Sequence, residues 1–236
     1  MVVMMVLAVV IIGVTVAVRY RRRRRRAAAL GAWAAREGWT FTSTDPSVRT
    51  IPCGPAEHRA TERHVLRGTA RDGRPAVAFD ASYVVRQVGS AGSAGDDGDG
   101  STGGPTTVAQ AVVATTVAPS VPGGHPMVQV SPYRGVRFLR RLGRDRRAVV
   151  TGLPDFDDHF DLLTDHPVAA AATVGPEVLA WLVADPRMRT TSFRLQGDTL
   201  AVWRGGELTP DLLGHLLDLA TELRTRLGQD GHRVVA

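Results

Sequence analysis

The stretch RHVLRGTARDGRPAVAFDASYVV, residues 63–85, decides the fold class. Asp72 and Gly73 stand between two runs in which apolar and polar residues alternate, and this period of two is typical of half-buried strands. An Asp-Gly pair favours a two-residue hairpin turn of type I′, whose twist matches that of the flanking strands. The stretch therefore predicts a β-hairpin and, with it, an antiparallel sheet.

Other segments extend this prediction along the chain. Strand periodicity returns in WTFTST (39–44), TTVAQAVVATTVAP (106–119) and PMVQVSP (126–132), and TSFRLQGDTLAVW (191–203) predicts a second hairpin that turns at residues 196–198. Residues 88–105 contain seven glycines and almost no apolar side chains, which predicts a flexible loop that joins two neighbouring strands. We expect a mainly antiparallel sheet of about five to seven strands.

Helical patterns accompany these strands. Residues 27–37 predict a helix that stops at Gly38, and HPVAAAATVGPEVLAWLVADP (166–186) predicts one that breaks near Gly175. TPDLLGHLLDLATELRTRLG (209–228) predicts a terminal helix with Thr209 as its N-cap and Gly228 just past its end. Together with the hairpins, these helices indicate an α+β fold.

Composition excludes several function classes. All 29 basic residues are Arg, so a Schiff-base lysine and a Walker-type phosphate loop are both excluded. Seven of these arginines lie at positions 19–26, and the rest of the chain carries 22 Arg against 23 acidic residues. The domain outside that run therefore has no overall basic field, which disfavours a nucleic-acid partner.

The single cysteine, Cys53, makes an intramolecular disulfide impossible and is consistent with a reducing compartment. In the sequence IPCGP it fits a small apolar residue in a turn. Cys53, His58 and His64 have no recognised metal-ligand spacing. We expect neither a metal nor a cofactor, and no residue is assigned a catalytic role.

Residues 2–18, VVMMVLAVVIIGVTVAV, carry no charge and span about 26 Å as a helix, close to the hydrocarbon thickness of a membrane. A secretory signal peptide would need a basic segment before the apolar run and a small-residue cleavage site after it. No basic segment precedes the apolar run, and arginines rather than a small-residue cleavage site follow it. The pattern predicts that residues 1–18 form an uncleaved transmembrane helix, which residues 19–26 follow as a juxtamembrane arginine run and residues 27–236 as a cytoplasmic α+β domain.

The arginine run predicts the topology. Basic residues accumulate on the cytoplasmic side of a membrane span, so we expect the N-terminus outside and everything after residue 18 inside. The same side chains are expected to bind anionic headgroups of the inner leaflet. The predicted headgroup and topology residues are Arg19, Arg21, Arg22, Arg23, Arg24, Arg25 and Arg26.

Two further clusters leave alternatives open. In PDFDDHFDLLTDHP (154–167), the carboxylates and imidazoles of the cluster Asp155–His166 allow the site of a metal-dependent hydrolase, since a strand would place Asp157, His159 and Asp161 on one face. The structural interpretation is favoured, with Asp165 as a helix N-cap. The second cluster, Arg134–Arg147, contains seven arginines and is interpreted as a solvated helical face, or as a second patch for anionic lipid or nucleic acid.

The order of these motifs resembles a family of uncharacterised membrane-anchored bacterial proteins, a domain of unknown function. The resemblance is carried by RGTARDGRPAVAFD (67–80), FDDHFDLLTD (156–165) and the hairpin-helix ending, and it covers most of residues 30–227. It implies a membrane anchor and supplies no catalytic residues. The sequence thus predicts a membrane-tethered, non-enzymatic module that binds a protein partner or ligand at the inner membrane surface.

Overall fold

A computed structural model describes residues 2–54, 60–85, 106–118, 124–132 and 148–230, and these residues form nine strands and five helices. The strands are β1 Thr40–Thr42, β2 Thr61–Thr69, β3 Pro75–Val85, β4 Thr106–Thr116, β5 His125–Pro132, β6 Ala148–Val149, β7 Phe160–Thr164, β8 Thr191–Gly197 and β9 Thr199–Gly205. The helices are α1 Val2–Glu37, α2 Pro154–Asp157, α3 Pro167–Thr173, α4 Pro176–Ala184 and α5 Pro210–Asp230, with 3₁₀ helices at Pro46–Thr50 and Pro186–Thr190.

The strands form one sheet in the order β1-β2-β3-β4-β9-β8-β5-β7-β6, and every described pair is antiparallel. The α+β prediction with a mainly antiparallel sheet is confirmed. The sheet is larger than the expected five to seven strands. The edge strand β1 lies within the predicted segment 39–44, whereas β6 and β7 were not predicted as strands. Strand β6 has only two residues, too few for an alternating pattern to be visible in the sequence.

The hairpin predicted at residues 63–85 is present as β2 and β3, but its turn is not of type I′. Type I′ requires a positive φ at both central residues. Gly73 has φ 78°, whereas His64 is the only residue other than glycine with a positive φ in the described part of the chain. Instead, the Gly73 N–H donates to the Ala70 carbonyl and the Ala70 N–H donates to the Arg74 carbonyl, so the loop is longer than two residues.

Strand β2 contains a bulge. Its register against β3 shifts between Arg63 and Leu66, and His64 lies inside the shift with φ 51°. The His64 N–H leaves the ladder and donates to the Ser43 carbonyl at 2.9 Å. A bulge re-aims the side chain at its centre, and the bulge in β2 turns the His64 imidazole towards α1.

The two faces of the sheet are covered differently. The larger core lies between one face and helices α1 and α5, and it contains Leu30, Leu66, Ala78, Val113, Leu195, Leu200 and Leu213. The other face carries a smaller cluster packed under the 3₁₀ helix Pro46–Thr50, with Val48, Val65, Val77, Phe79, Val112, Ala201 and Trp203. We call these the helix face and the opposite face of the sheet.

Helix α1 runs without a break from Val2 to Glu37, through the predicted membrane span and into the domain. It ends as predicted at Gly38, where φ is 72° and the Trp39 N–H donates to the Ala34 carbonyl. Among the residues that the structure describes, no single helix has the length and apolarity to cross a membrane; only the pair α3 and α4, bent by 70°, meets that test by length and composition. The predicted span falls largely on residues 2–12, whose side chains are outside the description, and it stays a prediction.

Helix α5 begins as predicted. The Leu212 N–H donates to the Thr209 hydroxyl and the Leu213 N–H donates to the Thr209 carbonyl, so Thr209 is the N-cap. The helix does not stop at Gly228 and continues to Asp230. Glycine inside a helix costs only about 1 kcal/mol relative to alanine, which does not end a helix that packs along its length against the sheet.

Candidate functional site

Arg26 marks the place where α1 enters the domain. Residues 21–25 are exposed, whereas the Arg26 side chain is only 14% exposed, and Leu30 and Ala34 behind it are fully buried. These three positions are four residues apart and lie on one face of the helix. Arg26 therefore belongs to the face of α1 that packs on the sheet, although the sequence assigned it to the membrane headgroups with its neighbours.

The Arg26 guanidinium holds two carboxylates. Its Nη2 lies 2.9 Å from Oδ2 of Asp80, and its Nη1 forms an ion pair with Glu207. Nη2 also lies 3.2 Å from Nδ1 of His64. Charge-assisted hydrogen bonds of this kind are stronger than neutral ones, especially where water is excluded. We call Arg26, His64, Asp80 and Glu207 the junction cluster.

Asp80 connects three segments of the chain. Its side chain is 11% exposed, its Oδ1 accepts a 2.6 Å hydrogen bond from the Leu208 N–H, and its Oδ2 lies 2.8 Å from Nδ1 of His64. Leu208 belongs to the loop between β9 and α5. One carboxylate thus joins α1, the bulge of β2 and the start of the terminal helix.

The fold places Asp80 and His64 of the junction cluster for local reasons. Asp80 follows Ala76 and Ala78 at a spacing of two, so it faces the helices. His64 is turned inward by the bulge, and its ring stacks on Phe41 with centroids 6.1 Å apart. The Asp80 carboxylate is bound by Arg26, His64 and the Leu208 N–H, so the cluster connects α1 to the sheet, while Glu207 at its rim is 60% exposed.

No sequence motif identifies the junction cluster, although one signal for it is present in β3. An aspartate interrupts the apolar positions of β3 at a point where the alternation demands a buried residue. A buried carboxylate requires a partner. Arg26, four residues before Leu30 and so on the same face of α1, is the arginine that could pair with this aspartate.

The hydrolase alternative is not supported by the positions of its residues. Asp157 lies in α2 and not in a strand, and its carboxylate accepts hydrogen bonds from Thr151 and Gly152, at 2.9–3.1 Å. His159 Nδ1 lies 2.8 Å from the Asp155 carbonyl. Only Asp161 lies in a strand, β7, where it is buried. The set does not converge on a point.

The second half of that segment also differs from the prediction. The N-cap of α3 is His166, without a side-chain capping bond, and Asp165 is not the cap because the helix begins one residue later than expected, at Pro167. Among all the residues described, no group of three or more His, Cys, Asp or Glu side chains could hold a metal ion. His58 lies outside the described residues.

Two other predicted segments, the Gly-rich loop 88–105 and the arginines of 134–147, also lie outside the described residues. The strands that flank the loop can be compared with the prediction. Strands β3 and β4 pair along their whole length, from Val85 opposite Thr106 to Ala76 opposite Thr115. The prediction that the loop joins neighbouring strands is confirmed.

Polar groups are also buried on the opposite face of the sheet. Arg194 is 3% exposed, and its guanidinium donates to Gln129 Oε1 at 3.0 Å and to the Gly54 carbonyl at 2.9 Å. Burial raises the pKa of the Cys53 thiol to about 12 and also raises the pKa of Tyr83. The Cys53 thiol and the Tyr83 hydroxyl are therefore neutral at physiological pH. The hydrogen bond from Arg194 to the Gly54 carbonyl ties the segment around residue 54 to the sheet.

A cavity of about 200 Å³ opens on the same face, at the end of β3 and β4 that is remote from the junction cluster. Its floor is apolar, with Ile51, Val77 and Ala114. The charged residue on its rim, Arg67, is bound to Asp45 at 2.9 Å. The other polar groups of the lining are the hydroxyls of Thr115, Thr116 and Thr199.

Among known proteins, the chain matches solved structures only by fold. No family model matches the chain, and no curated protein matches it. Among solved structures, the chain is similar to the crystal structure of the mycobacterial trehalose monomycolate transport factor A, TtfA, with a TM-score of 0.56 and 14% sequence identity. The likeness covers 90% of this chain and 97% of that one. At this identity the two proteins share a fold over nearly their whole length.

Proposed function

We propose that this protein is a membrane-tethered, non-enzymatic module whose α+β domain binds a protein partner or ligand at the cytoplasmic surface of the membrane. One observation carries the proposal. Helix α1 leads from the apolar run through the arginines into the core without a break, and Arg26, Leu30 and Ala34 fix it to the sheet. A rigid tether of this kind would fix the distance of the domain from the membrane as well as the compartment that the domain occupies.

The length of the exposed segment sets the height of the domain. From Val18 to Arg26 the helix rises about 12 Å. The headgroup region on each side of a bilayer is about 5–8 Å thick. If residues 2–18 span the hydrocarbon, the domain begins directly below the headgroups, within reach of a partner that lies in or against the same membrane.

The exposed arginines support the proposed orientation. Arg21 to Arg25 are exposed on α1, and Arg24 also stacks over the ring of Tyr20 with 5.1 Å between the guanidinium carbon and the centroid. Each arginine near an anionic leaflet contributes about 1 kcal/mol of attraction. The segment therefore has both the position and the charge to bind headgroups on the cytoplasmic side.

Likeness of fold suggests the kind of partner. The protein with the similar structure is a transport factor, and the family that this sequence resembles is membrane-anchored. We propose that the module accompanies a membrane transport protein. Its junction cluster would hold the domain at a constant height beside that protein.

The tether is tested with the full chain carrying a C-terminal tag. We expect it in the membrane fraction, resistant to alkaline extraction, with the tag protected from protease in intact cells and cleaved after permeabilisation. Changing Ile11→Arg together with Ile12→Arg should release the protein, because two charges at the centre of the run oppose insertion. The matched control is Ala28→Arg with Ala32→Arg, at exposed positions of the same helix beyond the run. A tag cleaved in intact cells, or an unchanged Ile11 and Ile12 variant, would contradict the proposal.

Partner binding is tested with a photo-crosslinking amino acid in the full chain in native membranes. Val84 lies at the end of β3 nearest the exposed part of α1 and is 52% exposed, whereas Arg74 is exposed at the other end. We expect adducts with a membrane protein from position 84 and not from position 74. If position 84 gives none, the proposed protein partner is wrong.

A further inference from the structure

A row of residues crosses the helix face of the sheet beside the root of α1. Arg63 on β2 is opposite Asp80 on β3, Asp80 is opposite Ala111 on β4, and Ala111 is opposite Arg204 on β9. Paired residues of antiparallel strands point to the same face. Arg63 and Arg204 therefore flank the junction cluster, one on each side, on the face that α1 covers.

Both arginines are exposed. Within the described part of the chain neither forms an ion pair, in contrast to Arg26 between them. The nearby carboxylates, Asp80 and Glu207, are already bound to Arg26. Arg63 and Arg204 thus extend the positive charge of the exposed α1 arginines onto the domain itself.

The position of this row relates it to the membrane. It lies level with Arg26, about 12 Å along α1 from the last apolar residue, Val18. Subtracting the headgroup region leaves a few ångströms, less than the Debye length of about 8 Å at physiological ionic strength. Attraction between Arg63, Arg204 and lipid phosphates is therefore not screened out.

A single transmembrane helix tilts by about 20° on average, and contacts outside the hydrocarbon decide the direction of tilt. Because α1 is continuous with the domain, tilting the helix lowers one side of the domain onto the leaflet. We propose that Arg63 and Arg204 form a second, domain-borne binding site for anionic phospholipid headgroups, which selects the tilt that brings the helix face to the membrane. The inference rests on the proposed tether.

The test uses the full chain, with Cys53→Ala and a fluorophore on Val84→Cys, in nanodiscs whose lipids carry a nitroxide quencher on the headgroup. Val84 is exposed and follows Asp80 on the same face of β3. We expect stronger quenching with 30% phosphatidylglycerol than with phosphatidylcholine alone, and loss of the difference in high salt. Arg63→Glu with Arg204→Glu should abolish the difference. Each arginine contributes about 1 kcal/mol, so the loss of the two positive charges, without the added negative ones, would lower the ratio of docked to undocked domain about 30-fold.

The matched control is Arg36→Glu with Arg74→Glu, which makes the same change of charge at the far end of the domain. It should behave as the parent protein. Equal quenching in neutral and anionic discs, or an Arg63 and Arg204 variant that matches the control, would overturn the site; binding to an acidic protein partner would then explain the charges. Incorporation into the discs is measured in the same samples, so failure of the tether is distinguished from failure of the headgroup site.

Discussion

Nη2 of Arg26 lies 2.9 Å from Oδ2 of Asp80, 54 residues further along the chain. Both side chains are largely shielded from water, and the same carboxylate accepts the Leu208 N–H. The contact joins the end of a run of arginines to strand β3 of the sheet. It makes the tether helix part of the folded domain, and its removal is the most direct way to separate the two.

We expect Arg26→Ala to lower the free energy of unfolding by about 2–3 kcal/mol. Breaking a fully buried pair costs about 3–5 kcal/mol because one charge is left without a partner, and the exposed fractions of 14% and 11% reduce that figure. Urea unfolding of the full chain in micelles, followed by tryptophan fluorescence, measures the change. Asp80→Ala and the double variant complete a cycle that should show coupling of the two residues. Arg25→Ala, at an exposed position, should be neutral; a similar loss there would refute the role given to Arg26.

A second prediction concerns the close approach of β2 to Trp39. A Cβ atom on Gly68 would lie 2.4 Å from the ring, and the ring is only 7% exposed and cannot move aside. Gly68→Ala should therefore destabilise the domain by about 1–3 kcal/mol. Gly214→Ala, in α5 with open space around the added atom, should instead stabilise it by about 1 kcal/mol. Thermal unfolding of both variants checks the contrast, and a neutral Gly68→Ala would show that the strand and Trp39 are not packed as described.

The third prediction is a pH dependence. Hydrogen bonds from Arg187 lower the pKa of Asp185 and of Glu222. A carboxyl group whose pKa is lower in the folded than in the unfolded protein contributes stability above its unfolded pKa, near 4, and this is lost as the pH falls through the folded value. The stability of the parent should therefore decline from pH 5 downward.

Arg187→Leu removes this contribution. It should reduce the free energy of unfolding by about 1 kcal/mol at pH 7, since the pairs are partly exposed, and the difference from the parent should shrink as the pH approaches 2. Denaturant titrations across this range measure it. Arg189→Leu, an exposed neighbour without an ion pair in the described structure, is the control. Parallel curves for the Arg187 variant and the parent would rule out the proposed linkage.

The fourth prediction concerns the one native thiol. Because burial raises the pKa of Cys53 to about 12, almost none of it is thiolate at pH 8. Its alkylation by iodoacetamide should be about 10²–10³-fold slower than that of an ordinary thiol of pKa near 8.5. In a chain that also carries Val84→Cys, mass spectrometry should find position 84 modified first. Equal rates at the two positions would contradict the described packing around Cys53.

Patterns confined to a few residues predicted their structures well. The alternation in β2 and β3, the stop at Gly38 and the cap at Thr209 each depend on neighbours within a few positions. The predicted type I′ turn at Asp72 was wrong because that prediction also used only neighbouring residues. The chain forms a longer loop in place of the locally preferred type I′ turn. In this loop Asp72 forms an ion pair with Arg224 of α5.

The sequence by itself determined the kinds of element, the α+β class and the division of charge between the arginine run and the domain, because periodicity and composition are local properties. Only the tertiary structure decided that β9 and β8 insert between β4 and β5, and that Arg26 leaves the run to bind Asp80. Both depend on contacts between segments more than fifty residues apart. Such contacts are selected by the packing of whole faces of the sheet and helices, which no short pattern specifies.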